Sequence, residues 1–137
     1  MTRVYVDMVA DLFHYGHMNF LRQASSHGDF LLVGIHADET VESYKRTPIL
    51  TMKERIASVE GCRYVDEVVP NAPLEITREW IEKHNIDLIM HGDDVSSETR
   101  NTWYSVPIEM GIYQSVGYTE GISTTELISR IKSTEIG

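Results

Sequence analysis

His14 and His17 stand three positions apart with Gly16 between them, after the apolar run Val4-Tyr5-Val6 and at the opening of an amphipathic stretch. At that spacing two imidazoles occupy neighbouring positions of a first helical turn and reach one ligand together. A strand-to-helix turn aims free backbone N–H groups and the positive end of the helix dipole at whatever sits above it, and phosphate is the anion such a turn holds best. Glycine at position 16 lets the main chain come close. As hydrogen-bond donors, the imidazoles could stabilise negative charge developing on a phosphate oxygen. The plain alternative is one helix-capping and one surface histidine. The context after a strand favours an enzyme acting on a nucleoside triphosphate.

The elements that must position this pair follow from the hydrophobic pattern. Five apolar, β-branched runs, at 4–6, 30–35, 64–69, 87–90 and 113–116, are separated mostly by helix-length segments. That alternation predicts an α/β fold, Rossmann-like and three-layered, with a five-stranded parallel sheet between helices. The first helix is expected over 15–27, with Gly28 as its stop and Leu21 and Ala24 buried. Thr51 with Glu54, and Ser123 with Glu126, have the spacing of capping boxes. Ligands of open parallel sheets sit beyond the carboxyl ends of the strands, where the strand order reverses. Five segments should therefore share one edge: 8–17, 36–38 with 43–46, Asn71-Ala72, His91-Gly92-Asp93-Asp94, and 118–124.

Composition bounds the rest. With 137 residues, 42% of them hydrophobic, the chain suffices for one domain over 1–137 with its own core and is too short for two. A net charge of −9 argues against a nucleic-acid or anionic-membrane surface, so cations that hold phosphate must be placed locally. Lys45, Arg46, Arg55 and Arg63 are the candidates. The lone cysteine, Cys62, permits no internal disulfide and reads as a small buried side chain. No signal peptide or transmembrane run is evident, so a soluble, cytoplasmic protein is expected. Trp80 is assigned to the core, His27 to a helix end, His36 to a loop edge and His84 to a helix surface. His36 and His91, near strand ends, are also possible ligand contacts. Glu75, Glu79 and Glu82 read as a solvated helix face.

The ordered motifs resemble those of the cytidylyltransferases that activate phosphorylated alcohols, a group including the choline-phosphate, ethanolamine-phosphate and glycerol-3-phosphate enzymes. The likeness covers nearly the whole chain. Their H-x-G-H is similar to His14 to His17, their R-Y-V-D-E-V to Arg63-Tyr64-Val65-Asp66-Glu67-Val68, and their R-T-E-G-I-S-T-[ST] to residues 118–125. The stretch from Leu21 through His36 is most similar to the ethanolamine-phosphate members. H-x-G-H alone would also admit adenylyltransferases.

The resemblance implies that His14 and His17 contact the triphosphate of CTP and stabilise the transition state, with Lys45 as a catalytic phosphate-binding cation. It implies nucleotide contacts from Val9, Ala10, Asp11 and Gly16 at the pocket floor, and from Asp93 and Asp94 near the cytidine. Arg63 would complete the nucleotide site close to a homodimer interface. Tyr118, Thr119, Gly121, Ile122, Ser123 and Thr124 would hold phosphate at the last helix start. No protein nucleophile is required, and with few basic residues present Mg²⁺ is expected on the CTP phosphates, with no protein metal site.

Two positions depart from the family pattern. Tyr118 stands where the last motif begins with arginine, and Leu74 follows Asn71-Ala72-Pro73 where choline- and ethanolamine-using members have an aromatic residue. Loss of an aromatic face weakens a choline reading. Carboxylates remain for a primary amine: Asp11, Asp93 and Asp94, with Asn71 also at the acceptor edge and Trp103 and Tyr104 as aromatic candidates. The expected acceptor is phosphoethanolamine. The alternatives are a phosphonate such as hydroxyethylphosphonate or 2-aminoethylphosphonate, glycerol 3-phosphate, and, from another class, a CTP-sensing module without turnover.

Overall fold

A computed structural model describes residues 1–117 and 119–135, so the expected contact from Tyr118 lies outside the described residues. The strands are β1 (Arg3–Met8), β2 (Phe30–Ile35), β3 (Glu67–Pro70), β4 (Leu88–Gly92) and β5 (Tyr113–Val116). The helices are α1 (Tyr15–Ser25), α2 (Asp38–Glu42), α3 (Met52–Glu60), α4 (Arg78–Lys83), α5 (Ser97–Trp103), α6 (Ser105–Glu109) and α7 (Thr124–Lys132). All strand pairings are parallel, in the order β3-β2-β1-β4-β5. The order reverses beside β1, which pairs with β2 on one side and β4 on the other, so the carboxyl end of β1 opens onto a switch-point crevice.

Side chains of successive strand residues enter opposite cores, as the pleat requires. Val4 and Val6 of β1, with Leu31, Val33 and Ile35 of β2, pack with Leu21 and Ala24 of α1 and Val59 of α3. Tyr5, Leu32 and Ile89 point the other way and pack with Ile76, Ile81 of α4, Ile86 and Tyr104. Burial on both faces explains why the central strands read as unbroken apolar runs rather than alternating ones. Trp80 packs against the second core and Cys62 is buried in the first, as expected. Among the described residues no helix is long and apolar enough to cross a membrane.

Three expectations shift. The third strand starts at Glu67 rather than Tyr64, because the chain turns after α3 with the Val65 N–H donating to the Cys62 carbonyl. Asp66 then pairs with Leu31 through both backbone and carboxylate before β3 begins. The first helix ends at Ser25 with Ser26 as its cap, short of His27. Gly28 is needed for a different reason: a Cβ there would lie 2.6 Å from Val4 Cγ2 and 2.7 Å from the Thr2 carbonyl oxygen. The reciprocal capping box forms at Thr51 and Glu54, but at α7 only its first half does; Ser123 accepts the Glu126 N–H while the Glu126 carboxylate pairs with Arg130.

Arg55 overturns its assignment as a phosphate ligand. Its side chain is completely buried, and its guanidinium donates to the carbonyls of Val9 and His36 at 2.8 Å and to Asp38 Oδ1 at 2.6 Å. A buried guanidinium must be solvated by the protein itself, so this charge is consumed in tying together the segments that follow β1 and β2.

Gly34 on β2 packs where a Cβ would meet the Tyr5 hydroxyl and come within 2.7 Å of Ala72 Cβ. Gly34→Ala is expected to destabilise the fold by about 1–3 kcal/mol through overpacking. Adding Tyr5→Phe should recover part of that loss in urea denaturation, since the hydroxyl is the atom the new methyl meets; an unchanged midpoint for the single variant would refute the packing.

Candidate active site

The loop from β1 to α1 is held in an unfavourable backbone shape. Ala10 and Leu12 both adopt left-handed conformations, with φ of 59° and 49°, which non-glycine residues rarely adopt unless their surroundings over-determine them. Here three anchors do so. The Asp11 carboxylate accepts the backbone N–H groups of Ile49 and Leu50 at 2.9 Å each. The Asp11 carbonyl accepts the Thr124 hydroxyl at 2.9 Å, and Arg55 grips the Val9 carbonyl. Asp11 thus lines the crevice as a brace between three segments. The expected use of its carboxylate for an amine is replaced by this structural one, because both oxygens already receive N–H donors.

The two histidines form a reciprocal cap at the start of α1. Nδ1 of His14 accepts the Gly16 N–H and Nδ1 of His17 accepts the His14 N–H, each at 3.1 Å. Their rings stack with centroids 3.9 Å apart, and Phe13 stacks on His17 at 5.5 Å. Gly16 is required for this arrangement: a Cβ there would lie 2.8 Å from Cε1 of His14. Burial lowers the pKa of His14. For His17, burial, then His14 and Lys45, lower it to about 3 despite the opposing pull of Asp11. Both rings are therefore neutral near pH 7. With Nδ1 occupied as an acceptor, the ring proton resides on Nε2, so each histidine offers one N–H donor. The capping reading and the ligand-binding reading are thus two uses of the same side chains.

The crevice above these rings has a volume of about 440 Å³. Its floor is the β1–α1 loop, including Val9 and Ala10, and one wall is Thr119, Ile122, Ser123 and Thr124 from the start of α7. Lys45 and Arg46 reach it from the segment after α2, and Arg46 donates to the Thr125 hydroxyl at 3.4 Å. Partial burial and Arg46 lower the Lys45 pKa, while Asp94 and Asp11 oppose them. Asn19 of α1 donates to the Thr119 hydroxyl at 2.8 Å and ties that wall to the first helix.

At the other end lies a cluster the sequence reading passed over. Asp7, the acidic residue of β1, is 2% exposed. Its Oδ1 accepts the Tyr104 hydroxyl at 2.7 Å, with Nε2 of His91 at 4.0 Å, and its Oδ2 faces Nε2 of His36 at 3.4 Å. Burial pushes the Asp7 carboxyl up, but the hydrogen bond and charge of His36, then His91 and Tyr104, outweigh it and hold the group below the usual carboxylate range. Tyr44 places its hydroxyl 3.4 Å from Nδ1 of His36 and packs on Trp103 at 5.2 Å. His36 is thus buried rather than at a loop edge. The missed signal was an acidic residue ending an apolar strand beside a switch point.

Most of the expected site residues converge here: His14, His17, Lys45, Val9, Ala10, Asp11, Gly16, Asp94, Thr119, Ile122, Ser123 and Thr124 all line the crevice. Others do not. Gly121 sits in the turn before the wall with a φ of 84°, and Asp93 is exposed beside Asp94, its N–H donating to the Val116 carbonyl. Asn71 is exposed beyond β3 and Leu74 is half-buried, both away from the crevice lining. Arg63 borders a second, shallow surface depression with Phe13, Tyr15, Met18 and Tyr64, donating to the Tyr64 hydroxyl. His27 is exposed, as expected of a helix end.

The chain is similar to known proteins. The family model for cytidylyltransferase-like proteins matches residues 8–136. The chain is 44% identical to the ethanolamine-phosphate cytidylyltransferase of Dictyostelium discoideum over 93% of its length, covering 37% of that protein. It is 47% identical to the ethanolamine-phosphate cytidylyltransferase of Arabidopsis thaliana, with 93% and 32% coverage. The chain therefore spans about a third of the length of these relatives. The fold matches the crystal structure of a lipopolysaccharide core biosynthesis protein from Thermoplasma volcanium with a TM-score of 0.72 at 23% identity, covering 88% of this chain and 99% of that one.

The depressed pKa of His17 has a consequence for stability. Between about 3 and the ordinary imidazole value of about 6.5, the unfolded chain binds a proton that the folded chain refuses, so stability falls as pH drops below about 6.5. This group should contribute up to about 2 kcal/mol of loss between pH 6.5 and pH 5. His17→Asn is expected to flatten that part of the stability profile in thermal melts; a profile parallel to that of the wild type would show that His17 titrates normally.

Proposed function

Since the chain belongs to the cytidylyltransferase-like family, we propose that it transfers CMP from CTP to phosphoethanolamine, giving CDP-ethanolamine and pyrophosphate. The observation that carries this reading is the polarity of the crevice. One end presents a helix start, two neutral imidazole donors and two cations, and the other presents a buried carboxylate. A triphosphate fits the first and a primary ammonium the second. The ethanolamine-phosphate relatives support the same acceptor.

The chemistry needs no protein nucleophile. An oxygen of the acceptor phosphate attacks the α-phosphorus of CTP in line, the new P–O bond forms as the bond to the β-phosphate bridging oxygen breaks, and pyrophosphate leaves. Nε2–H of His14 and of His17 donate to phosphate oxygens as charge builds on them. Lys45 and Arg46 bring the only fixed positive charges that line the crevice among the described residues, too few to balance two phosphate-bearing substrates. Mg²⁺ brought with CTP would supply the remaining neutralisation beside Lys45 and Arg46. The Thr119 and Ser123 hydroxyls, which accept from Asn19 and the Glu126 N–H and keep their own protons, hold phosphate at the start of α7, while the Thr124 hydroxyl proton stays on the Asp11 carbonyl. Asp94 and its neighbour Asp93 flank the cytidine, and Tyr118, in place of the family arginine, removes one cationic contact. Asp7 takes over the acceptor-binding role assigned to Asp11, Asp94 and Asn71, and Tyr104 stays protonated as its donor, since burial and the Asp7 charge raise its pKa far above the ordinary value.

Pyrophosphate release with CTP, Mg²⁺ and a panel of phosphoethanolamine, phosphocholine, glycerol 3-phosphate, 2-aminoethylphosphonate and hydroxyethylphosphonate tests the assignment. Turnover with phosphoethanolamine is expected. Silence across the panel, with CTP still raising Tm, would instead indicate a nucleotide-sensing module. His14→Asn keeps a side chain able to cap α1 and so should preserve Tm while lowering kcat/KM by about a hundredfold; near-normal turnover would remove His14 from the reaction. A homodimer through the depression lined by Arg63, Tyr15 and Met18 is also proposed, supported by exposure of the Tyr15 and Met18 side chains there. Light scattering at assay concentration should give twice the chain mass, and Met18→Glu should give the monomer.

A further inference from the structure

The two oxygens of Asp7 are not equivalent. Oδ1 receives the Tyr104 hydroxyl at 2.7 Å, a short charge-assisted bond from a side chain that is itself fully buried. Among the described residues Oδ2 has Nε2 of His36 as its one hydrogen-bond partner, at 3.4 Å, and that ring is in turn held by the Tyr44 hydroxyl at 3.4 Å on Nδ1. Both contacts lie at the long limit of hydrogen bonding. His91 cannot serve Oδ2 in the same way: it lies 4.0 Å from Oδ1, and its Nδ1 is engaged with the Gly92 carbonyl at 3.0 Å. Oδ2 is thus the oxygen open to exchange, and His36 is the partner to be exchanged.

We infer that His36 gates the acceptor site, holding Asp7 Oδ2 closed as an imidazolium and yielding it to the ammonium group of phosphoethanolamine only when neutral. The inference rests on the phosphoethanolamine reading above. A buried carboxylate needs a counterion, but one negative charge does not stabilise an imidazolium and an ammonium side by side. Binding of the acceptor to the His36-protonated form must therefore release one proton to solvent. His36 is in this sense a specificity-determining residue: at acid pH it competes with amine-bearing acceptors, while an acceptor lacking the amine has nothing to displace.

Of the groups packed around Asp7, His36 is the one that meets Oδ2. His91 faces the cluster from β4, Tyr104 from the α5–α6 junction, Tyr5 from β1, and Tyr44, followed by Lys45, from the segment after α2. The three tyrosines remain protonated, since burial and the Asp7 charge raise each of them. From α3, Arg55 grips the backbone carbonyl of His36 but pairs its own charge with Asp38. The backbone at His36 is thereby anchored, while its ring is held by two contacts of 3.4 Å.

The test is steady-state kinetics of the wild type and His36→Gln with CTP and Mg²⁺ between pH 8 and pH 6. Turnover of phosphoethanolamine by the wild type at pH 8 checks the substrate reading separately; its absence would overturn both readings. Given turnover, KM for phosphoethanolamine in the wild type should rise on acidification by about fourfold more than in His36→Gln, the effect of one competing proton on an imidazole. KM for CTP should follow the same pH course in both chains, and ionisation of the substrate phosphate, common to both, cancels in the comparison. Parallel phosphoethanolamine profiles would overturn the gate, as would a profile flattened in His91→Asn but not in His36→Gln. Should His36→Gln fail to fold, the wild type suffices: saturating phosphoethanolamine should move the NMR titration of the His36 Cε1 proton to lower pH, and an unchanged or upward shift would reject the inference.

Discussion

A single buried guanidinium holds the geometry of the crevice. Arg55 leaves α3 with no exposed surface and spends its donors on the Val9 carbonyl, the His36 carbonyl and Asp38. Each of these lies just past the carboxyl end of a central strand or at the start of the next helix, where backbone groups have left the sheet ladder and need partners. The two terminal nitrogens of Arg55 carry these bonds, leaving Nε without a partner among the described residues, and the constraint runs both ways: the two loops must keep their shape for the buried charge to stay solvated by protein. The positions of Ala10, Asp11 and His36 follow from that requirement.

On this frame one short segment serves two ends at once. A helix start needs acceptors for its free N–H groups, and His14 and His17 supply them through Nδ1. The same bonds place the ring protons on Nε2, and burial lowers the pKa of both rings. Local stability and the chemistry offered to a phosphate are therefore set by the same two hydrogen bonds. The crevice is lined by charges of both signs: Lys45 and Arg46, the latter bonded to Thr125 at the start of α7, and the carboxylates of Asp7, Asp11 and Asp94.

The agreement between pattern and structure was greatest where the physics is local. Strand β5 spans the expected 113–116, Leu21 and Ala24 are the buried residues of α1, and the Thr51–Glu54 box closes reciprocally. Spacing also sufficed for the histidine pair and for Ser123 at the start of α7, since each depends on residues within one helical turn. Agreement failed where a side chain chooses between distant partners. Arg55 and Asp11 have the charge of ligand-binding residues, yet the first is spent on carbonyls 19 and 46 residues away and the second on N–H groups 38 and 39 residues away.

What the sequence by itself determined is the period of its apolar residues, the caps of its helices and the order of its motifs, all of which depend on neighbours along the chain. From these follow a doubly covered parallel sheet, a histidine-capped helix start after its first strand, and membership of the cytidylyltransferase-like family. Only the tertiary structure decided which charged groups remain available to a ligand. Asp7 faces His36 and His91, 29 and 84 positions away, and Tyr104, 97 positions away, because β1 lies between β2 and β4 in the sheet. Strand order is a property of packing two helical layers on one sheet, and no local pattern in the chain encodes which strands become neighbours.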